Sequence, residues 1–445
     1  MDTLNQLLST VANFVWGVPM LVLLVGTGLY LTVVLRGVQF RALGRAFRLI
    51  LHKESGAAGD ISHFAALTTA LAATVGIGNI VGVATAIAMG GPGAVFWMWV
   101  TGLVGMATKY AEAVLAVKYR EQGALGYKGG PMYYLTNGLG LRWLGVLFAI
   151  FTVIASFGIG NMTQVNSVSQ LLASTAGVPT WVSGGVMLFL TALVILGGVK
   201  SIGRFTAWLV PFMIFFYCLA AIVVLVLQWD QLLPALGLIF YHAFNPYSAA
   251  GGFAGATVAA AMRYGLARGV FSNESGLGSA PIAAAAAKTD DPVKQALVSM
   301  TQTFIDTLVV CTMTALVILT APHWLEGGSP ADLTMRSFAH NLGNAGAGVV
   351  ILSTVLFAYS TVLGWSYYGE KAFEFLFGHK AIRIYRTVFV AVILVGATVK
   401  LELVWNFSDV ANGLMALPNL VALVLLARVV KAETERYFGR EGGSS

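Results

Sequence analysis

Thr74-Val75-Gly76-Ile77-Gly78-Asn79-Ile80-Val81-Gly82 lies inside a run, Phe64 to Thr108, that carries no charged side chain. A spanning helix needs about 20 apolar residues, so this run holds two crossings, separated at Gly90-Gly91-Pro92-Gly93. Glycine inside a helix costs about 1 kcal/mol relative to Ala. Gly76, Gly78 and Gly82, set beside Asn79, mark a place where a membrane helix unwinds. A second cluster of the same kind runs through Gly265, Gly269 and Asn273-Glu274-Ser275-Gly276-Leu277-Gly278-Ser279. The plain alternative for each cluster is close helix packing, because small residues let helices approach.

The rest of the chain reads as membrane. Of 445 residues, 58% are hydrophobic and 10% charged, against roughly 25% charged in a soluble domain. Val11 to Leu35 and Trp143 to Val199 are further charge-free runs. The expectation is an all-α polytopic membrane protein with eleven transmembrane helices, near 13–35, 64–89, 94–117, 142–173, 180–198, 205–228, 251–273, 295–320, 346–370, 384–399 and 404–428. The first run is too long for a signal peptide and has only Asp2 before it, so it reads as a retained span. Cys218 and Cys311 both fall in apolar runs and imply neither a disulfide framework nor a metal site.

Lys and Arg set the orientation. Arg36, Arg41, Arg45, Arg48 and Lys53 follow the first helix, which places that loop in the cytoplasm and the N-terminus outside. Alternation then keeps nearly every other cation inside, including the C-terminal tail, and leaves only Arg336 and Lys400 outside. An even helix count would scramble this asymmetry. The net charge of +7 is therefore topological and gives no reason to expect nucleic acid as a partner. No separate soluble domain is visible: 1–60 holds the extra helix and a basic loop, 61–230 and 231–430 each hold five helices, and 431–445 is a tail.

Without the first helix, ten remain, and the two glycine clusters fall in the first and sixth of them. The first set of five starts from the cytoplasm and the second from outside. That is an inverted repeat of five plus five with an interrupted helix opening each half, the pattern of secondary transporters. A broken helix leaves N–H groups free at one half-helix start and C=O groups free at the other half's end. The first suits a carboxylate; the second suits a bare cation. Irregular backbone is tolerated at membrane depth only where it lines a polar cavity.

Gly90 to Gly105, Gly129-Gly130-Pro131-Met132-Tyr133-Tyr134, Gly158 to Gln164 and Phe271 to Pro281 together resemble the sodium:alanine (alanine or glycine:cation) symporter family, from about residue 60 to the end. The resemblance implies a leucine-transporter-like fold with one extra N-terminal helix, sodium as coupling ion, a small neutral amino acid such as alanine or glycine as substrate, and a prokaryotic cytoplasmic membrane as location. It implies no cofactor.

Asn79 is the first site candidate, because its carboxamide can offer an oxygen to sodium or an NH₂ to a carboxylate. Gly76-Ile77-Gly78-Asn79 is similar to the Gly-x-Gly-Asn of the wider fold, whose Asn helps to bind an ion beside the substrate. Ala72, Thr74 and Val75 would supply carbonyls to sodium; Gly76 and Gly78 would supply N–H groups to the substrate carboxylate. The fold further implies that Ser360 and Thr361 meet the carbonyls of Ala72 and Val75 around a second sodium. Ser353 and Thr354 compete for that role, and lone hydroxyls in membrane helices usually bond back to their own backbone. Among the amides Asn161, Gln164 and Asn166, Gln164 is expected to face the cavity. Phe157 and Trp365 would close the pocket around a methyl group, with plain packing as their alternative, and Gly265 would line it. Asp306 is a carboxylate within a span, which marks function by default: it can ligate sodium with Asn79 or pair with Arg263. Asp409 reads as structural. Arg263, Arg268 and Glu274 suggest an inner gate pair, Arg263 with Glu274, while snorkelling suits Arg268 better.

The six histidines are scattered, without metal-ligand spacing. No nucleophile motif appears, and Gly76-Ile77-Gly78 lacks the βαβ context of a dinucleotide site. The chain reads as a sodium-coupled importer of small neutral amino acids and not as an enzyme. The alternatives are proton coupling through Asp306, a membrane-embedded enzyme, or a channel.

Overall fold

The computed structural model describes residues 2–52, 56–124, 126–246, 257–326, 329–399 and 401–442. Lys53, Lys400 and residues 247–256, which include the start of the expected seventh helix, lie outside them.

Every expected span coincides with a helix. They are α1 (Asn5–Val34), α2 (His63–Thr74 with Ile77–Gly90), α3 (Ala94–Lys118), α4 (Arg142–Ala176), α5 (Thr180–Ile195) and α6 (Gly198–Leu227). The second set is α7 (Val258–Asn273), α8 (Pro292–Thr320), α9 (Asn344–Phe377), α10 (Ile382–Thr398) and α11 (Leu401–Leu425). Among the described residues, eight helices are long and apolar enough to cross a membrane unaided, and the α2 pair, bent by 62°, makes a ninth if it is one span. The described part of α7 and α5 are each 16 residues long.

The extra helix α1 packs on α3 and α11, and the Trp16 indole donates to the Asp409 carbonyl at 2.8 Å. The segments between the expected spans hold order of their own. Trp229–His242 and Pro330–Leu342 are helices, and Glu121–Gly123 pairs antiparallel with Gly126–Lys128. The expected tail is a helix, Ala427–Gly442, that docks on α3 through Tyr110 and Thr434 (2.9 Å) and a Lys118–Glu433 ion pair.

One arginine ties the ends of several elements together. Arg120, just beyond α3, donates to the carbonyls of Ala285 (3.0 Å), Ala287 (2.7 Å), Ala58 (2.9 Å) and Thr289 (2.6 Å). Carbonyls left without a donor are costly to bury, and here a single guanidinium with five N–H donors serves those of Ala285, Ala287 and Thr289 and adds a second bond to that of Ala58, which also accepts from the Thr289 N–H.

Gly265 shows close packing winning over site lining. A Cβ there would stand 2.3 Å from the Ala94 carbonyl oxygen and 2.7 Å from the Trp97 Cβ. Gly269 meets Thr101 in the same way, at 2.2 Å. The glycines of α7 proper therefore let it lie flush on α3. Gly265→Ala is expected to destabilise by about 1–3 kcal/mol, the cost of overpacking. Gly185, with open space around its would-be Cβ, should tolerate Ala at no cost; thermal unfolding of the two variants in detergent checks the contrast.

Candidate functional site

The first break begins where α2 loses its hydrogen-bond ladder. The Gly76 N–H donates to Asn79 Oδ1 (2.9 Å) instead of to the Ala72 carbonyl one turn back. The Ile77 N–H donates to Gln164 Oε1 (3.4 Å) instead of to Ala73. Ile77–Asn79 then winds as one 3-10 turn before the helix resumes at Val81. Threonines take up carbonyls beyond it: Thr314 donates to Asn79 O (2.8 Å) and Thr334 to Ile80 O (3.2 Å). The local cause is in the sequence. Asn79 offers an amide oxygen three residues beyond Gly76, and that side chain competes with the backbone.

The second break follows α7. Glu274 adopts left-handed geometry (φ 56°), as do Gly276 (φ 89°) and Gly278 (φ 82°). Only glycine takes such angles freely, so the sequence Glu-Ser-Gly-Leu-Gly cannot continue a helix here. Both glycine N–H groups donate to Glu112 Oε1 at 3.1 Å. The Asn419 amide donates to that oxygen (2.7 Å) and to the Gly276 carbonyl (2.9 Å). Lys109 donates to the Glu274 carbonyl (3.0 Å) and lies 3.9 Å from Glu112 Oε2. The Glu274 carboxylate accepts from the Trp365 indole (2.8 Å) and from Ser279.

Asp306 joins the breaks. Its Oδ1 accepts from Asn79 Nδ2 at 2.7 Å. Its Oδ2 accepts from Ser272 (2.9 Å) and Thr307 (2.8 Å). One oxygen thus faces α2 and the other faces α7. Asp306 sits within Phe304–Cys311, a π-helical stretch of α8, and Gly158–Met162 forms a second one, in α4, next to Gln164. Such wide turns recur at functional sites. Asn79, Asp306 and Ser360 are fully buried.

Of the expected residues, the structure brings Gly76, Gly78, Asn79, Gln164, Asp306, Ser360 and Thr361 to one place. Ser360 and Thr361 both donate back to the Phe357 carbonyl of their own helix at 2.9 Å; Ser360 Oγ also lies 3.4 Å from the Val75 carbonyl, and a Cβ on Gly76 would meet Thr361 Oγ1 at 2.5 Å. Gly78 approaches the Phe271 ring and the backbone of Ser272, so the broken segments touch. Thr74 turns its hydroxyl to Gln302 on α8 (3.2 Å). Asn161 and Asn166 are spent on carbonyls of α10 and its end. Trp365 lies against the second break through Glu274.

Three expectations fail. Arg263 does not pair with Glu274: it is exposed, three turns earlier on α7, and donates to Asn13 of α1 (2.9 Å). Nor does it pair with Asp306, whose oxygens are taken by neutral donors. Phe157 packs against Tyr385 and Phe389, with ring centroids 5.6 and 5.8 Å away, which is the plain aromatic packing of its alternative. Gly265 faces α3, against Ala94 and Trp97.

Lys109 and Glu112 escaped the sequence reading although their signal was present. They are the only charged residues in the expected span 94–117, three apart, and so share one helix face. Asn419 and Ser272 carry no comparable signal; only the fold brings them in.

Two broken helices, joined by an intramembrane carboxylate, narrow the chain to a class of transporter. A family model decides within that class. The model described as the sodium:alanine symporter family matches residues 1–443. The chain belongs to the sodium:alanine symporter family. This symporter is 56% identical to the sodium/alanine symporter AgcS of Methanococcus maripaludis, over 97% of each chain. It is 38% identical to a Bacillus subtilis protein named probable sodium/glutamine symporter GlnT, over 98% of this chain and 91% of that one. Its fold is shared with MhsT, solved in complex with L-phenylalanine: TM-score 0.62 at 14% identity, covering 83% of the symporter and 90% of MhsT. It is a multi-pass membrane transporter of leucine-transporter-like fold, not an enzyme.

Proposed function

We propose that the symporter uses a sodium gradient to import alanine and other small neutral amino acids, glycine among them, by alternating access. The observation that carries this reading is Asp306, which bridges the two breaks with one oxygen to each. Around it lie the two kinds of group the substrates need. The Ala72 carbonyl, freed by the turn of Gly76, the Val75 carbonyl and the hydroxyls of Ser360 and Thr361 suit one sodium. Asn79 and Asp306 suit a second. The Gly78 N–H suits a carboxylate, joined by the Gly76 N–H and the Gln164 amide once they exchange their present acceptors, Asn79 and Ile159. The 56% identical AgcS, named for sodium and alanine, supports the same pair.

In this reading the N-terminus faces outward, the C-terminus faces the cytoplasm, and 61–230 and 231–430 are the two inverted halves that move against each other. The energetics suffice. A charge crossing 100 mV is worth roughly 2.3 kcal/mol and a tenfold ion gradient about 1.4 kcal/mol. Together they allow roughly 500-fold accumulation per sodium.

Uptake of labelled alanine into proteoliposomes, with and without an inward sodium gradient, tests the reading. Saturable uptake that needs sodium and is competed by glycine is expected. Uptake that ignores sodium but needs an acidic exterior would replace it with proton coupling through Asp306. Flux that fails to saturate would mean a channel.

A further inference from the structure

At the C-terminal end of α1 the chain builds a basic pocket that neither broken helix uses. Two short helices, Val38–Arg41 and Leu43–Ile50, follow α1, and the helix Ala427–Gly442 lies beside them. Between them is a cavity of about 430 Å³. Arg36, Arg41, Arg45 and Lys431 line it, with Glu435 as the only acidic side chain. Arg41 also donates to the Leu35 carbonyl at 3.3 Å, and Arg45 lies over the Phe438 ring, 5.1 Å from its centroid. Glu435 is 3.9 Å from Lys431, an exposed pair.

Two further features say what such a pocket holds. Arg36 is one of two non-glycine residues with positive φ (54°) among those described. The αL turn it makes with Gly37 ends α1 and sets its side chain at the pocket. Val34, Val38 and Phe438 line the pocket with the cations; Val33, next in sequence to Val34, is exposed, as are Phe40 and Phe47 on the two short helices. Apolar side chains exposed next to arginines on short amphipathic helices lie at the boundary of headgroup and acyl chain. A free anion would use the arginines and leave the apolar rim idle. A phospholipid with a net negative headgroup uses both.

The geometry points to a specific site for one anionic phospholipid, its phosphate held by Arg36, Arg41, Arg45 and Lys431 and its acyl chains laid along Val33 and Val34. The site joins the extra helix to the C-terminal helix, two elements outside the ten-helix core. It is independent of substrate or ion assignment, since it needs only that the chain is membrane-embedded. Cations near a bilayer surface each contribute to the attraction of anionic lipid, and arginine adds bidentate grip on a phosphate.

The test is native mass spectrometry of the full chain in detergent, titrated with phosphatidylglycerol. Expected is one tightly retained phosphatidylglycerol per wild-type chain, weakened roughly tenfold or more in Arg36→Gln/Arg41→Gln. Arg383→Gln, at a separate basic groove on α10, should bind as wild type. Size-exclusion chromatography reports whether the double variant is folded; if it aggregates, Lys431→Gln is read in its place, with the same sign expected. The site is overturned if the pocket variants retain the lipid like wild type, if phosphatidylcholine is retained equally well, or if Arg383→Gln alone loses it. Displacement by millimolar inorganic phosphate would show a small-anion site and would also overturn the lipid.

Discussion

Asn79→Ala is expected to reduce sodium-driven alanine uptake by at least ~100-fold, a loss of about 2.7 kcal/mol in the transport step, while the protein still folds. Asn79 performs three tasks at once. Its oxygen holds the Gly76 N–H, and its NH₂ group holds Asp306 Oδ1 and the Asp306 carbonyl. Alanine leaves the Gly76 N–H free to return to Ala72 and resume the helix, which would withdraw the carbonyl proposed for sodium. Otherwise it leaves that N–H unpaired, at a cost of about 1–3 kcal/mol. Either outcome strikes the ion site first and leaves the apolar packing of α2 in place. Uptake in proteoliposomes, paired with size-exclusion profiles of the purified variant, separates lost transport from lost folding. Near-normal uptake would remove Asn79 from the site.

Glu112→Ala should have the largest effect on stability. Glu112 Oε1 alone accepts from Gly276, Gly278 and Asn419. Its partner Lys109 is also buried. Removing one member of a buried ion pair costs about 3–5 kcal/mol, because the other charge is stranded, and here two backbone N–H groups lose their acceptor as well. Glu112→Gln keeps an oxygen for the backbone but not the charge, so it should fall between wild type and Glu112→Ala. Adding Lys109→Met to Glu112→Gln removes the stranded cation and should restore part of the loss. Unfolding temperatures of the three variants in one detergent give the order. A Glu112→Ala variant as stable as wild type would show that the second break holds its shape without that carboxylate.

The helices and the breaks were legible because each rests on short-range chemistry. Charge-free length marks a crossing, and Gly next to Asn or Glu-Ser marks a ladder that stops. Asp306 was legible because a carboxylate in an apolar run needs a reason. What stayed hidden was direction. The composition of α7 does not say whether Gly265 faces a cavity or Ala94, and the aromatic ring of Phe157 suits a pocket and the Tyr385–Phe389 cluster equally well. Arg263 and Glu274 have opposite charges on one broken helix, yet the αL turn at Glu274 and the distance along α7 keep them apart. Lys109 and Glu112 were visible as isolated charges in α3. Their purpose depends on a contact 164 residues away in the chain, which no local pattern announces.

Arg120 has a mechanical corollary. Its guanidinium fastens the strand of chain ahead of α2 and the stretch after Ala284 to the foot of α3. The ends of both interrupted helices nearest Arg120 are thereby riveted to a common beam. They cannot swing out one by one on slack connectors. In the proposed cycle, opening at this end either carries α3 along as part of a single lever or breaks these hydrogen bonds, and the first of these leaves the glycine-rich joints as the fulcrum.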